Sequence, residues 1–183
     1  MAFTFTRLSI SDVVLVEPQL FSDDRGLFHE SYKPSIFTEN GINTKFIQDN
    51  ISHSVRGVIR GLHFQKNPKA QAKLVTAVKG EIFDVAVDIR KNSLTYGKWV
   101  SEILSEDNHN LLYVPEGFAH GFCVLSKEAA VHYKVSNEYS PEDEGGIIWN
   151  DPSLNINWPL TDVVISNNDK QLPLLENLKN YFE

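Results

Sequence analysis

Apolar and polar residues alternate over short stretches along most of this chain, and the alternation is broken at fairly regular intervals by Gly, Pro, Asn or Asp. Segments 13–17, 27–32, 45–50, 58–65, 73–78, 81–89, 98–104, 110–114, 121–125 and 130–136 read as strands. Lys79-Gly80, Lys91–Ser93, Glu106–Asn108 and Pro115–Gly117 are among the breaks. Short strands at close spacing predict an all-β antiparallel sandwich or barrel. Helical periodicity is confined to Pro34–Asn40, ended by Gly41, and to a C-terminal stretch around Leu172, Leu175 and Leu178. No repeat, linker or low-complexity segment divides the chain, so residues 1–183 are expected to form one domain, with a short helical tail over about 166–183.

Two strands carry polar residues on one face. Side chains alternate across a strand with period two, so Gly61, His63 and Gln65 point one way and Leu62 and Phe64 the other, with Arg60 just before the Gly61 kink and able to reach an anion. Over 82–89, Phe83, Val85, Val87 and Ile89 form an apolar face, while Asp84 and Asp88 share the opposite one with Ile82 and Ala86. A solvated sheet face and a polar cavity inside a barrel both produce that pattern.

Composition narrows the function. With 42% hydrophobic residues the chain can bury a substantial core. Its 17 Lys and Arg stand against 24 Asp and Glu, and no basic block stands out, which argues against nucleic acid but not against an anionic small ligand held by a few local cations. Cys123, the one cysteine, sits among Gly121, Phe122, Val124 and Leu125 and reads as a buried, inert thiol. Residues 1–7 lack a charged-then-apolar signal pattern, and no apolar run approaches the roughly 18 residues of a membrane span, so a soluble cytoplasmic protein is expected.

The segment Pro115–Gly121, with its Pro-x-Gly-x-x-His120 pattern, is similar to the second motif of cupins, small jelly-roll barrels. The first cupin motif supplies two metal-binding histidines one residue apart; here the matching site reads His63-Phe64-Gln65, which leaves too few ligands for a catalytic metal. Without a metal, His63 can act as a base if a carboxylate fixes its tautomer. Asp169 is one candidate, although Ser166 followed three residues later by an acid equally matches a helix-capping box. Lys73 opens its strand, and Tyr133 shares a face with two valines; each is a structural residue or, in a closed pocket, an oxyanion stabiliser and a proton donor.

Taken together, the chain resembles the dTDP-4-dehydrorhamnose 3,5-epimerase family. The resembling stretches are 21–31, 48–50, 56–65, 73–75, 80–88, 113–122, 133–134, 139–142, 149–152 and 154–159, in order and over nearly the whole chain. The resemblance implies a cupin-like jelly-roll barrel of antiparallel strands with a few short peripheral helices, no metal and no cofactor. It implies a homodimer with exchanged N-terminal strands, to which residues of about 1–50 contribute. The implied reaction inverts C3 and C5 of a dTDP-linked 4-keto-6-deoxy sugar, within deoxysugar biosynthesis. By the same resemblance His63 is the base, oriented by Asp169, Tyr133 donates from the opposite face, and Lys73 stabilises the enolate. Arg60 would meet the diphosphate, and Gln48, Asn50 and Tyr139 the nucleotide. Arg25, Phe28 and Glu30 would complete the partner's pocket, and His120 would play a supporting role. Alternatives are a relative that inverts one carbon or takes another nucleotide, and a non-catalytic sugar-nucleotide-binding cupin. Departures from the family pattern fall at pocket borders: Glu144–Trp149 lacks two usual arginines, Asn168 replaces a basic residue, and His29 replaces an aromatic one.

Overall fold

The computed structural model describes residues 2–182. Strands are β1 (Phe3–Arg7), β2 (Val14–Pro18), β3 (Phe21–Asp23), β4 (Gly26–Phe28), β5 (Gln48–Val55), β6 (Ile59–Gln65), β7 (Lys73–Lys79), β8 (Glu81–Asp88), β9 (Trp99–Ser105), β10 (Leu111–Val114), β11 (Phe118–Val124), β12 (Glu128–Val135) and β13 (Glu144–Gly146). All ladders between them are antiparallel. They build a six-stranded sheet in the order β1-β2-β10-β7-β12-β5 and a five-stranded sheet in the order β13-β6-β11-β8-β9. The expected all-β jelly roll is thus present as two packed sheets, which hydrogen bonding does not close into a continuous barrel. Strands β3 and β4 form a separate hairpin.

Three clusters of apolar side chains hold this arrangement. Val75, Ile82, Ala86, Leu104, Leu112 and Val131 pack between the sheets. Val85, Val87 and Ile89, on the other side of β8, are covered by Ile147, Leu154, Leu175 and Phe182 of the C-terminal segment. The outer side of the six-stranded sheet is covered in part by helix α1 (Pro34–Glu39), whose Phe37 is fully buried against Phe3, Val14 and Leu74. Central strands are therefore covered on both faces. Asp84 and Asp88 are accordingly not on a solvated face: both are fully buried.

Helix α1 begins with a proline at its first positions and is followed by Gly41 with φ of +84°, as the sequence predicted. The expected helical tail over 166–183 is corrected: the described part has two 3₁₀ turns, Asp169–Gln171 and Leu175–Asn177, and no α-helix. Pro173 between them lacks an N–H and disfavours helical geometry at Leu172. The three-residue spacing of Leu172, Leu175 and Leu178 suits a 3₁₀ turn as well as a helix. Strand β1, the hairpin strand β3 and strand β13 were not expected from the pattern, and 29–32 does not continue β4.

Candidate active site

The site forms where β6 and β11 of one sheet face β5, β7 and β12 of the other. His63 on β6 lies directly opposite His120 on β11, and Phe122 opposite Arg60, so β6 carries one extra residue between these pairs. That irregularity interrupts the period-two rule and lets Arg60 and His63 line the same cavity. Gly61 makes it possible: its φ is +131°, and a Cβ there would lie 2.6 Å from the Gly121 Cα and 2.9 Å from the His120 carbonyl oxygen.

His63 Nε2 is 2.8 Å from Asp169 Oδ1. The other carboxylate oxygen accepts the Gly61 backbone N–H at 3.3 Å, while the backbone N–H of Asp169 donates to Ser166 Oγ at 3.0 Å. The capping contact and the histidine partnership thus coexist, because the first uses the main chain and the second the carboxylate. Burial raises the Asp169 carboxyl, but the His63 contact, the Gly61 N–H and Ser166 outweigh it and bring it below its ordinary value. An ionised Asp169 accepts only, so Nε2 carries the proton and Nδ1 the free lone pair.

A second histidine–carboxylate pair lies beside the first. His120 Nε2 is 2.9 Å from both oxygens of Asp84. Burial lowers the affinity of His120 for a second proton, Asp84 opposes this, and the nearby Lys73 ammonium reinforces it. Lys73 is buried and donates to the His63 carbonyl oxygen at 3.3 Å. Its burial lowers its pKa to about 8, with partial recovery from the charges of Asp84 and Glu144. Tyr133 is half-buried, and its phenol is raised by burial against a smaller lowering by Arg60.

These groups border two neighbouring spaces. The inner one, about 150 Å³, is walled by Ser52, Arg60, His120 and Phe122. The outer one, about 260 Å³, is walled by Gln48, Asn50, Gln71, Tyr139 and Glu144. His63, Lys73 and Tyr133 border both. His63 enters from the five-stranded sheet and Tyr133 from the six-stranded one, so an acceptor and a donor of protons approach the space from opposite walls beside a buried ammonium. Such a set can take a proton from carbon, hold the resulting oxyanion and return a proton from the other side.

At the mouth, Gln48 donates to Asn50 Oδ1 at 2.9 Å and accepts the Tyr139 backbone N–H at 3.0 Å. The Tyr139 hydroxyl donates to Glu144 at 3.0 Å. Arg60 Nε donates to Ser54 Oγ at 3.0 Å. Gln65, by contrast, is a structural amide: it donates to the Lys69 and Glu138 carbonyls and accepts the Ser140 N–H at 2.8 Å. Arg25, Phe28 and Glu30 do not join the cavity within one chain; Arg25 and Phe28 stand on the exposed β3–β4 hairpin, and Glu30 lies beyond it, near Lys33. Ser52, Glu144 and the Asp84 partnership of His120 were not identified from sequence. The continuous polar series Gln48, Asn50, Ser52, Ser54 on one face of β5 is the signal that could have located Ser52. At the departing stretch 144–149, Gly145 leaves room that the Phe64 ring fills, since a Cβ there would lie 2.6 Å from that ring.

The jelly roll is a cupin-like scaffold, and its facing histidine and tyrosine are a set suited to an isomerase. The family model described as dTDP-4-dehydrorhamnose 3,5-epimerase matches residues 7–177, and the chain belongs to that family. A dTDP-4-dehydrorhamnose 3,5-epimerase of Methanothermobacter thermautotrophicus is 50% identical over 179 residues, covering 96% of each chain. The crystal structure of a dTDP-6-deoxy-D-glucose-3,5-epimerase from Legionella pneumophila, in complex with dTDP-4-keto-L-rhamnose, superposes with a TM-score of 0.94 at 44% identity, over 97% of this chain and 95% of that one. A dTDP-4-dehydrorhamnose 3-epimerase of Streptomyces niveus is 41% identical, over 92% of this chain and 82% of its own length.

Proposed function

We propose that this protein epimerises dTDP-4-dehydro-6-deoxy-D-glucose at C3 and C5, giving dTDP-4-dehydro-L-rhamnose. The observation that carries this reading is the His63–Asp169 pair at 2.8 Å, facing Tyr133 across a cavity that also holds the Lys73 ammonium. The 4-keto group acidifies the neighbouring C3–H and C5–H bonds. His63 Nδ1 removes a proton from one face, and the electron pair passes to the C4 oxygen as an enolate held by Lys73. Tyr133 then returns a proton to carbon on the opposite face. Repetition at the second carbon completes the double inversion, with the two groups restored by exchange with solvent. Arg60 holds the diphosphate side, Gln48, Asn50 and Tyr139 the nucleotide, and His120 plays a supporting role.

Turnover in deuterated water tests this directly: mass and NMR analysis of the product should find deuterium at both C3 and C5. Label at C3 alone would reassign the protein to the single-carbon chemistry named for the Streptomyces niveus relative.

The homodimer with exchanged N-terminal strands belongs to the same proposal. Phe21, Leu27 and Phe28 on the β3–β4 hairpin are 50, 44 and 67% exposed. A lone two-stranded hairpin is marginal in water, so a partner surface for this apolar element supports the exchange. Arg25, Phe28 and Glu30 then complete the partner's nucleotide pocket. Sedimentation should give a dimer, and Arg25→Ala should weaken dTDP binding about tenfold, as expected for losing one charged hydrogen bond; a monomer with full dTDP affinity would reject the arrangement.

A further inference from the structure

We infer that the contact between His29 and His109 positions the β3–β4 arm for the partner's nucleotide pocket while the rings are neutral and releases it when both are protonated, an inference that rests on the arm exchange proposed above. The hairpin forms a sheet of its own, hydrogen-bonded to neither large sheet, so its placement depends on side-chain contacts. His29 follows Phe28, the last residue of β4, and makes such a contact: its ring is tilted by 42° against that of His109, with the centroids 4.7 Å apart. Uncharged aromatic rings at that separation attract. His109 stands on a well-held turn between β9 and β10. Its N–H donates to the Ser105 carbonyl at 3.0 Å, and Asn108 Oδ1 accepts the N–H groups of Ser105 and Asn110, each at 3.0 Å. With φ of +55°, His109 takes a left-handed conformation that residues other than glycine seldom adopt, and the turn presents its imidazole to the arm.

The charged groups on the two elements have other partners or face solvent. On the arm, Asp23 pairs with Arg25, and Glu30 lies 3.9 Å from Lys33. On the turn, Glu106 accepts the Gly80 N–H at 2.8 Å, and Asp107 is exposed. Burial, and after it the charge of His109, lower the pKa of His29, and no carboxylate opposes them. Because the ring in contact binds its proton more weakly than a free imidazole, the contact is complete above about pH 6.5 and is lost as pH falls below that value. A second proton on the pair then sets two like charges against each other, and the arm that carries Arg25 and Phe28 loses its anchor.

The test measures dTDP affinity by calorimetry at pH 7.5 and pH 5.0 for wild type, His29→Phe and Arg25→Ala. Over this interval wild type should lose about tenfold more affinity than His29→Phe, which keeps an aromatic ring at position 29 but cannot take up a proton. Comparing the two losses removes what both proteins share, such as protonation of dTDP itself. In a second measurement, NMR titration of the His29 ring should give a higher pKa in His109→Phe than in wild type, because the like charge is gone. Equal losses of affinity in wild type and His29→Phe, or a His29 titration indifferent to the residue at 109, would overturn the inference. Wild-type affinity of Arg25→Ala at pH 7.5 would instead defeat the arm exchange on which it rests.

Discussion

A His63→Ala variant should lose solvent exchange at C3 and C5 by about 10²–10⁴-fold, the usual contribution of a positioned general base, while keeping its affinity for dTDP. The asymmetry follows from where the imidazole acts. In the proposed mechanism it takes part in carbon–hydrogen cleavage and is not assigned to the nucleotide, so its removal falls on kcat more than on ground-state binding. Asp169→Asn is the companion variant. The amide can donate to Nε2, which would move the ring proton to Nδ1 and leave no lone pair facing the sugar. It should therefore lower exchange strongly with His63 still in place, as measured by NMR in deuterated water. Unchanged exchange in His63→Ala would remove the residue from the mechanism.

Replacing Lys73 by methionine should move activity and stability in opposite directions. In the proposed mechanism, loss of the buried ammonium removes the charge opposite the developing enolate, and such a donor typically contributes about 10²–10³-fold to kcat. Holding that ammonium out of water is itself unfavourable: its pKa falls from 10.5 to about 8. The difference corresponds to about 3 kcal/mol against the charged form. Because the folded-state value is the lower one, this destabilisation is fully present below about pH 8 and fades as pH rises towards the unfolded-state value. Denaturation at matched protomer concentration should therefore find Lys73→Met more stable than wild type at pH 7, by up to about 3 kcal/mol, with the gap closing above pH 10. The wild-type rate should fall on the alkaline side with a midpoint near 8, where Lys73 loses its proton. A stability gap independent of pH would show that Lys73 is not held as a buried cation.

The strand pattern was legible because alternation with period two survives wherever one face meets the core. It failed where tertiary contacts supply the reason for a strand. Strand β5 runs on through Ser52, His53 and Ser54, which have no apolar alternation, because β12 pairs with it along its whole length. Strand β13 is three residues, two of them glycine, held against β6. At the tail, leucine spacing alone could not separate a helix from 3₁₀ turns, and Pro173 interrupts the segment between the two turns.

What the sequence by itself determined is the class of fold and the candidates proposed as reacting groups: short alternating strands, and His63, Lys73, Tyr133 and Asp169 in a family order. Chain order says nothing about distance, however, and a carboxylate 106 residues from its histidine becomes a partner only when the C-terminal segment packs across β6. The tertiary structure alone decided that Asp169 meets His63 while its N–H is still capped by Ser166, and that the extra residue at Gly61 turns Arg60 into the cavity beside His63. It also decided that Asp84 supports His120 and that burial brings Lys73 within reach of neutral pH. Each of these depends on two sheets closing over a small polar space, where desolvation and a few fixed hydrogen bonds, rather than residue type, set what a side chain can do.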